Sequence, residues 1–381
     1  MRIAHVLTYV STDGAFGGPV SVAVAQTAEL SRRGHEVEIF AGWDGEFEFK
    51  VPGVKVNLFK TTKVIPAGFS GMIAPSMIKS LLQRSTEFDI VHVHLARDLI
   101  TTPAALAVLG SKGHARLFVQ SHGMVKPDQR TRTRFFDYGI RSILRRCQSV
   151  FALNDVDAER ILAVAGTPVS VLELPNGVQG RQTREYKISG RAEVLFLARL
   201  HERKRVMLFA QAAARLIEQN IDAEFTIIGP DEGDLPKLSE FVDQKNLGEQ
   251  LRYEGVVLPG QAPERIREAA IYVLPSRNEP FPMSVLEALS VGTPTVISNS
   301  CHIAEELVSE GAAVAFDGES EELAELLQHL LGDKVMLGEL SVRAQRAIQD
   351  RYSISRVAEL LENFYISDRA SLRDHERQYS Q

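Results

Sequence analysis

Two carboxylates, Glu279 and Glu287, stand eight positions apart in the stretch Arg277-Asn-Glu-Pro-Phe-Pro-Met-Ser-Val-Leu-Glu287. A run with the pattern of a short buried strand, Ile271 to Pro275, precedes them. Pro280 and Pro282 oppose helix until about Met283, which puts Glu279 in a loop at a strand's carboxyl end. Ser284 is expected to cap the helix that follows, with Glu287 about one turn in, opposite Val285, Leu286, Ala288 and Leu289. Free N–H groups at such a helix start can hold an anion, and Glu287 beside them can grip hydroxyls. A glutamate on the solvent face of an amphipathic helix fits the same letters.

Other residues become informative beside this pair. Arg199 and Lys204 flank the turn Leu-His-Glu-Arg after a strand pattern at Val194–Ala198, where two cations could clamp a diphosphate. Gly14, Gly17 and Gly18 follow the first strand but do not make the G-x-G-x-x-G dinucleotide fingerprint, even with Asp44 past the second strand. Gly17 and Gly18 instead suit close approach of backbone N–H groups to a ligand ahead of a helix. His92 and His94 share a strand face and His122 ends the next strand; three imidazoles could hold a metal, but no carboxylate run completes the set. The expectation is that His122 lines a cleft. Asp155 and Asp157 look like a metal-holding acidic pair, yet after Asn154 at a helix start they read as cap and first-turn anions. Residues 126–146 hold seven basic and two acidic side chains interleaved with Phe135, Phe136, Ile140, Ile143 and Leu144. Lys126, Arg130, Arg132 and Arg134 there suit an anionic acceptor or membrane surface, or a plain solvated helix.

The elements that must position these groups form two β/α series. Strand patterns begin at about residue 3, at His35, Val54, Asp89, Arg116 and Ser149, and the first series closes there. A connecting stretch from Val169 to Val178 and a polar linker from Gly180 to Gly190 lead to a second series at Val194, Glu224, Leu251, Ile271, Thr295 and Ala312. Two successive series of short parallel-strand signals imply an α/β protein with two doubly wound, Rossmann-like domains facing across a cleft, with ligands at the strands' carboxyl ends. The boundaries read as 1–177 for the first domain and 178–365 for the second, with 366–381 packing back on the first. A chain of 381 residues, 44% hydrophobic, with net charge −6 and two cysteines, argues against general nucleic-acid binding, a disulfide framework and a zinc finger. No membrane span or leader pattern is present, so a cytoplasmic protein is expected, peripheral at the membrane's inner face through 126–146.

In order, the motifs are Gly17-Gly18, His122 after Gln-Ser, Pro175-Asn-Gly-Val178, Arg199-Leu-His-Glu-Arg-Lys204, Glu279 and Glu287, and Gly292-Thr-Pro294. This set resembles the retaining glycosyltransferases of the GT-B fold, family 4, also called group 1, over nearly the whole chain. The resemblance implies that Glu287 holds the ribose of a nucleotide-sugar donor and that Glu279 contacts the transferred sugar. Backbone groups of Phe281, Pro282, Met283 and Ser284 meet sugar and phosphates, Arg199 and Lys204 bind the diphosphate, and the base packs near Val256. Gly17 and Gly18 lie under the reacting centre, His122 approaches the sugar, and the terminal helix, with residues 357–365, crosses back to the first domain and bridges both halves. It further implies no cofactor and no metal, a UDP- or GDP-hexose as donor, and a saccharide or lipid-linked acceptor in cell-surface polysaccharide or glycoconjugate synthesis. The sequence departs from the family where Arg205 replaces a common glycine and where Pro280 and Pro282 remove N–H donors. An epimerase on the same fold, a silent nucleotide-sugar-binding protein and an exported solute-binding protein are the rival readings.

Overall fold

The computed structural model describes residues 1–10, 17–45, 48–66, 68, 70–128, 131–181, 186, 190–258 and 260–367, without the side chains of 131, 132 and 135. The chain divides into two compact units, Met1–Gly177 together with the chain from Ile354 on, and Val178–Ser353.

In the first unit the strands are β1 (Arg2–Val10), β2 (Glu36–Trp43), β3 (Lys55–Lys60), β4 (Ile90–His94), β5 (Arg116–Gln120), β6 (Ser149–Ala152) and β7 (Val171–Glu173). They form one parallel sheet in the order β3-β2-β1-β4-β5-β6-β7. A parallel sheet covered on both faces buries alternate side chains in both directions, which is why β4 and β6 are buried at every position. The series does not close at Ser149: the stretch read as a connector contributes the edge strand β7. Val171 and its neighbours lack the length of a strand signal, and pairing with β6 supplies the order.

The second unit repeats the plan with β8 (Ala192–Leu197), β9 (Ala223–Ile228), β10 (Leu251–Tyr253), β11 (Ile271–Leu274), β12 (Thr295–Ser298) and β13 (Val314–Phe316), ordered β10-β9-β8-β11-β12-β13. Phe196, Phe209, Phe225, Phe316 and Leu327 sit in its core at 1% exposure or less. In both sheets the strand order reverses beside the first strand, and the crevice at the carboxyl ends there is where doubly wound sheets take ligands.

The terminal helix crosses back to the first unit as expected, but the boundary falls at Ile354, not at 365. The helix Ile354–Ile366 packs on the first unit, with Val357, Ala358, Leu361 and Tyr365 against Ile3, Ile90, Phe118, Phe151 and Leu174. Glu362 ties it down through Arg33 at 2.5 Å and His35 at 2.7 Å. An amphipathic pattern shows that a helix has a buried face, not which core receives it. The break lies at the π-helical turn Ile348–Tyr352 and the extended Ser353. The expectation for 366–381 falls mostly outside the described residues, as do most of the linker from Gly180 to Gly190 and the loop from Ser11 to Phe16. Among the described residues no helix is long and apolar enough to cross a membrane.

Candidate active site

The second sheet reverses its order between β8 and β11, and the chain leaves both strands into the residues singled out above. After β8 comes a short 3-10 turn, Glu202–Lys204, begun by His201, whose ring Nδ1 accepts the Arg203 N–H at 3.1 Å. After β11 comes the loop carrying Glu279. The two loops are stitched together: Arg277 N–H donates to the Arg203 carbonyl at 2.8 Å. Lys204 Nζ then lies 2.6 Å from Glu279 Oε2, and Arg203 adds a second cation at 3.6 Å. Both members of the main pair are nearly enclosed, with 12% and 8% of their side chains exposed. Burial holds the Lys204 ammonium below its ordinary range while Glu279 pulls it back up. Arg199 is exposed and pairs with Glu232 at 2.8 Å, leaving guanidinium N–H donors for an anion.

The helix Met283–Ser290 starts where expected, but Ser284 does not cap it. Pro282 holds the N-cap position, and its carbonyl accepts from Val285 and Leu286 at 3.1 and 3.3 Å. Ser284 lies one turn position further on, its Oγ 2.7 Å from the buried Tyr272 hydroxyl, which is also 3.1 Å from the Leu197 carbonyl. The Met283 and Ser284 N–H groups have no acceptor among the described residues and form the helix's open positive end. Glu287 is half-buried on this helix, and burial pushes its carboxyl up to about 7, with Arg181 the nearest opposing cation. Val256, 63% exposed, stands past the end of β10 with Leu258, an apolar shelf of the kind a base can cover. Gly292 has φ +75, and a Cβ there would be driven into the Gln345 amide and the Ser341 hydroxyl. The Gly-Thr-Pro motif is therefore a packed turn, not a ligand contact.

Arg205 adopts φ +56 at the start of the next helix, the left-handed conformation glycine takes at little cost, and its guanidinium donates to the Gly318 carbonyl. The backbone thus keeps the shape a glycine would give.

In the first unit the reversal lies between β1 and β4. Gly17 opens the helix Gly17–Arg32, and a Cβ on Gly18 would meet nothing within 4 Å, so packing gives no reason for glycine there. His122 follows β5 with φ +51. Its Nε2 lies 2.7 Å from His94 Nδ1, and its Nδ1 is buried with no hydrogen-bond partner among the described residues. Burial lowers its pKa to about 3, with Asn176 pulling the other way. His5, His92 and His94 cluster closely enough to suggest a cation site. However, the His92 and His94 rings stack with planes 3° apart, and an ion must lie near the plane of each imidazole that ligates it. His92 Nδ1 is instead 2.6 Å from the Tyr365 hydroxyl.

The acidic pair reads as expected: Asn154 accepts from Asp157 N–H at 3.0 Å and caps the helix Asp155–Ala165. The basic excess of 126–146 is partly structural. Arg141, Arg145 and Arg146 donate to the terminal carbonyls of Val164, Ala165 and Leu109, and so close neighbouring helices. Lys126 and Arg134 are exposed, while Arg130 and the Arg132 side chain lie outside the described residues. Sequence reasoning missed Arg203, Tyr272, Arg181 and His5. Arg203 was visible as the cation before Lys204, and His5 as the histidine facing His92 and His94 across β1 and β4; Tyr272 and Arg181 carried no local signal.

Two family models match in succession: Glycosyltransferase Family 4 over residues 16–179 and Glycosyl transferases group 1 over residues 179–351. Among curated proteins, the chain is 24% identical over 312 residues to the UDP-Gal:alpha-D-GlcNAc-diphosphoundecaprenol alpha-1,3-galactosyltransferase of Escherichia coli, covering 75% of this chain and 77% of that one. It is 25% identical over 182 residues to the alpha-D-kanosaminyltransferase of Streptomyces kanamyceticus, where the match spans about half of each protein, 47%. Among solved structures, HepE of Anabaena in complex with UDP superposes with a TM-score of 0.74 at 17% identity, over 95% of this chain and 99% of that one. With both halves matched in family order and both sheets built as the fold requires, the chain belongs to the group 1, family 4 glycosyltransferases of the GT-B fold.

Proposed function

We propose that this glycosyltransferase, which uses a nucleotide sugar, moves a hexose from UDP or GDP to a saccharide or lipid-linked acceptor with retention of configuration and without a metal. The observation that carries the reading is the nearly enclosed Lys204–Glu279 pair at 2.6 Å beside the open N–H groups of Met283 and Ser284. The anomeric C–O bond breaks with its electron pair going to the diphosphate. Lys204, Arg199 and the helix N–H groups stabilise that charge, the task a metal performs elsewhere. The acceptor oxygen bonds to the anomeric carbon on the same face, and its proton passes to the leaving phosphate oxygen. Glu279 positions the sugar, Glu287 takes the ribose hydroxyls and Val256 meets the base. Phe281 and Pro282 shape the wall between them. The family resemblance extends the reading to Gly17, Gly18 and His122 as groups of the reacting centre. The names of the Escherichia coli relative, with its UDP-Gal donor and diphosphoundecaprenol acceptor, and of UDP-bound HepE support the donor and acceptor classes.

The same reading gives the exposed face of Lys126, Arg134 and Tyr138, the last 85% exposed, to an anionic surface in a glycoconjugate pathway. Incubation with UDP- and GDP-hexoses and lipid and saccharide acceptors, with and without EDTA, tests the proposal by nucleotide release. The anomeric proton of the product reports configuration. Loss of turnover with EDTA or an inverted product overturns the mechanism, and conversion of a UDP-sugar without acceptor points to an epimerase. Co-sedimentation with anionic but not neutral vesicles tests the surface.

A further inference from the structure

The His122 side chain belongs to a line of three imidazoles. Its Nε2 lies 2.7 Å from His94 Nδ1, and His94 Nε2 lies 2.9 Å from His5 Nδ1. The His94 and His122 ring planes are within 9° of parallel with centroids 5.0 Å apart, as for an in-plane N–H···N contact. His5 and His94 are 0% and 2% exposed, and burial drives both imidazoles far below their ordinary range, so each is neutral.

A neutral imidazole has one N–H and one lone pair. Each step of this line joins an Nδ1 to the next Nε2, so the protons must all sit on Nδ1 or all on Nε2. His122 therefore does not choose its tautomer alone. The other ring nitrogen of His122, Nδ1, is buried without a hydrogen-bond partner among the described residues, so the contact with His94 is what sets the tautomer. The backbone is held independently. Ser121 Oγ donates to the Asp157 carboxylate at 3.2 Å, and Leu153 N–H donates to it at 3.0 Å. Asp157 is 1% exposed, and it grips Ser121, the residue before His122, whose left-handed φ a non-glycine residue adopts only when its surroundings impose it.

We propose that His94, backed by His5, and Asp157 are positioning residues for the transfer reaction: His94 fixes which nitrogen of His122 carries the proton, and Asp157 fixes its backbone. The proposal rests on the reading of His122 as a group of the reacting centre. An asparagine at 94 places an amide nitrogen near the position of Nδ1, facing His122, whereas a glutamine places it near Nε2, facing His5. His94→Asn therefore retains the contact that matters and His94→Gln loses it.

The first test needs no substrate. In the full chain with 15N-labelled histidine, His122 gives one neutral tautomer in the wild type and in His94→Asn, and a mixture in His94→Gln and His94→Leu. The second uses the UDP- or GDP-hexose that turns over in the donor panel. We expect kcat to fall roughly tenfold or more in His94→Gln and Asp157→Asn with donor KM within about threefold, and to stay within about threefold in His94→Asn. Equal tautomer spectra for the Asn and Gln variants, or a single tautomer in His94→Leu, overturn the frame. If the spectra change as expected but His122→Ala leaves kcat untouched, the frame stands and the role of His122 in transfer fails. The Asn and Gln variants are close in size to histidine, so the comparison survives if His94→Leu does not fold.

Discussion

Replacing Glu287 with glutamine should stabilise the donor-free protein and weaken its grip on the donor. Burial raises the Glu287 carboxyl from 4.5 to about 7, and only Arg181 opposes the shift. In the unfolded chain the group releases its proton near 4.5; in the folded protein it keeps it to about pH 7. The folded state thus binds more protons across that window, and stability falls as pH rises through it. Above pH 7 the full difference applies, about 3 kcal/mol at ~1.4 kcal/mol per pH unit. The side chain is partly in contact with water, which reduces the expected penalty to about 1.5–3 kcal/mol. Glutamine carries no charge to desolvate. At about 2–4 °C per kcal/mol for a unit of this size, Glu287→Gln should melt roughly 3–10 °C higher at pH 8 and no higher at pH 4.5. The ribose hydroxyls lose a charged acceptor worth about 1.5–3 kcal/mol, so UDP should bind roughly ten- to a hundredfold more weakly. Calorimetry gives a second handle. If UDP needs the ionised carboxylate, wild-type binding at pH 6 releases a proton and its heat varies with the buffer, and the variant shows no such dependence. A Glu287→Gln protein less stable than wild type at pH 8, or equally stabilised at pH 4.5, would show that the carboxylate is compensated in the folded state and would refute the argument.

Three further outcomes follow from the same geometry. Lys204→Met leaves Glu279 buried without its main partner; breaking such a pair costs about 3–5 kcal/mol, and we expect kcat/KM to fall by roughly 10²–10³, read by urea titration and donor turnover. Arg205→Gly and Arg205→Ala both lose the bond to the Gly318 carbonyl, but only alanine keeps the left-handed strain, so the glycine variant should be about 1 kcal/mol the more stable by denaturant midpoint. Gly292→Ala should cost about 2 kcal/mol or more, because φ +75 and the Gln345 amide both oppose a Cβ; a melting temperature equal to wild type would contradict that.

Much of the fold was legible because parallel strands buried on both faces write themselves as short apolar runs. β8, β11 and β12 lie within a residue or two of those runs. The placement of Arg199, Lys204 and Glu279 was legible for a related reason: they follow strand ends directly, so order along the chain gives place in the sheet. The failures concern partners. The Ile354–Ile366 pattern names a buried face but not the core that receives it. Arg141, Arg145 and Arg146 look like surface charge until the helix ends they close are in view. Ser284 looks like a cap because its hydroxyl would suit one, and Tyr272, twelve residues back, claims that hydroxyl. No local pattern could show that His122 Nε2 is taken by His94, itself bonded to His5, since both reach the site from other strands.

The prolines between the two glutamates can now be given a physical role. They remove two N–H donors from the loop where a donor substrate would sit, a loss for anion binding. Yet the protein's own bonds hold the loop along its length. Arg277 N–H is on the Arg203 carbonyl, Asn278 N–H on Ser300 Oγ at 3.1 Å, and Glu279 on Lys204. Phe281, 8% exposed, meets the Tyr352 ring edge-on at 6.1 Å. Pro280 and Pro282 bracket that phenylalanine and restrict φ on both sides of it, which lowers the entropy lost when the loop is held. A flexible loop would offer more N–H groups but would have to be ordered when the donor arrives. A loop already held by the protein would have less to reorganise when charge develops beside it. The same trade explains Arg205: it accepts a strained φ, and its bond to the Gly318 carbonyl keeps the Lys204 turn in place from behind.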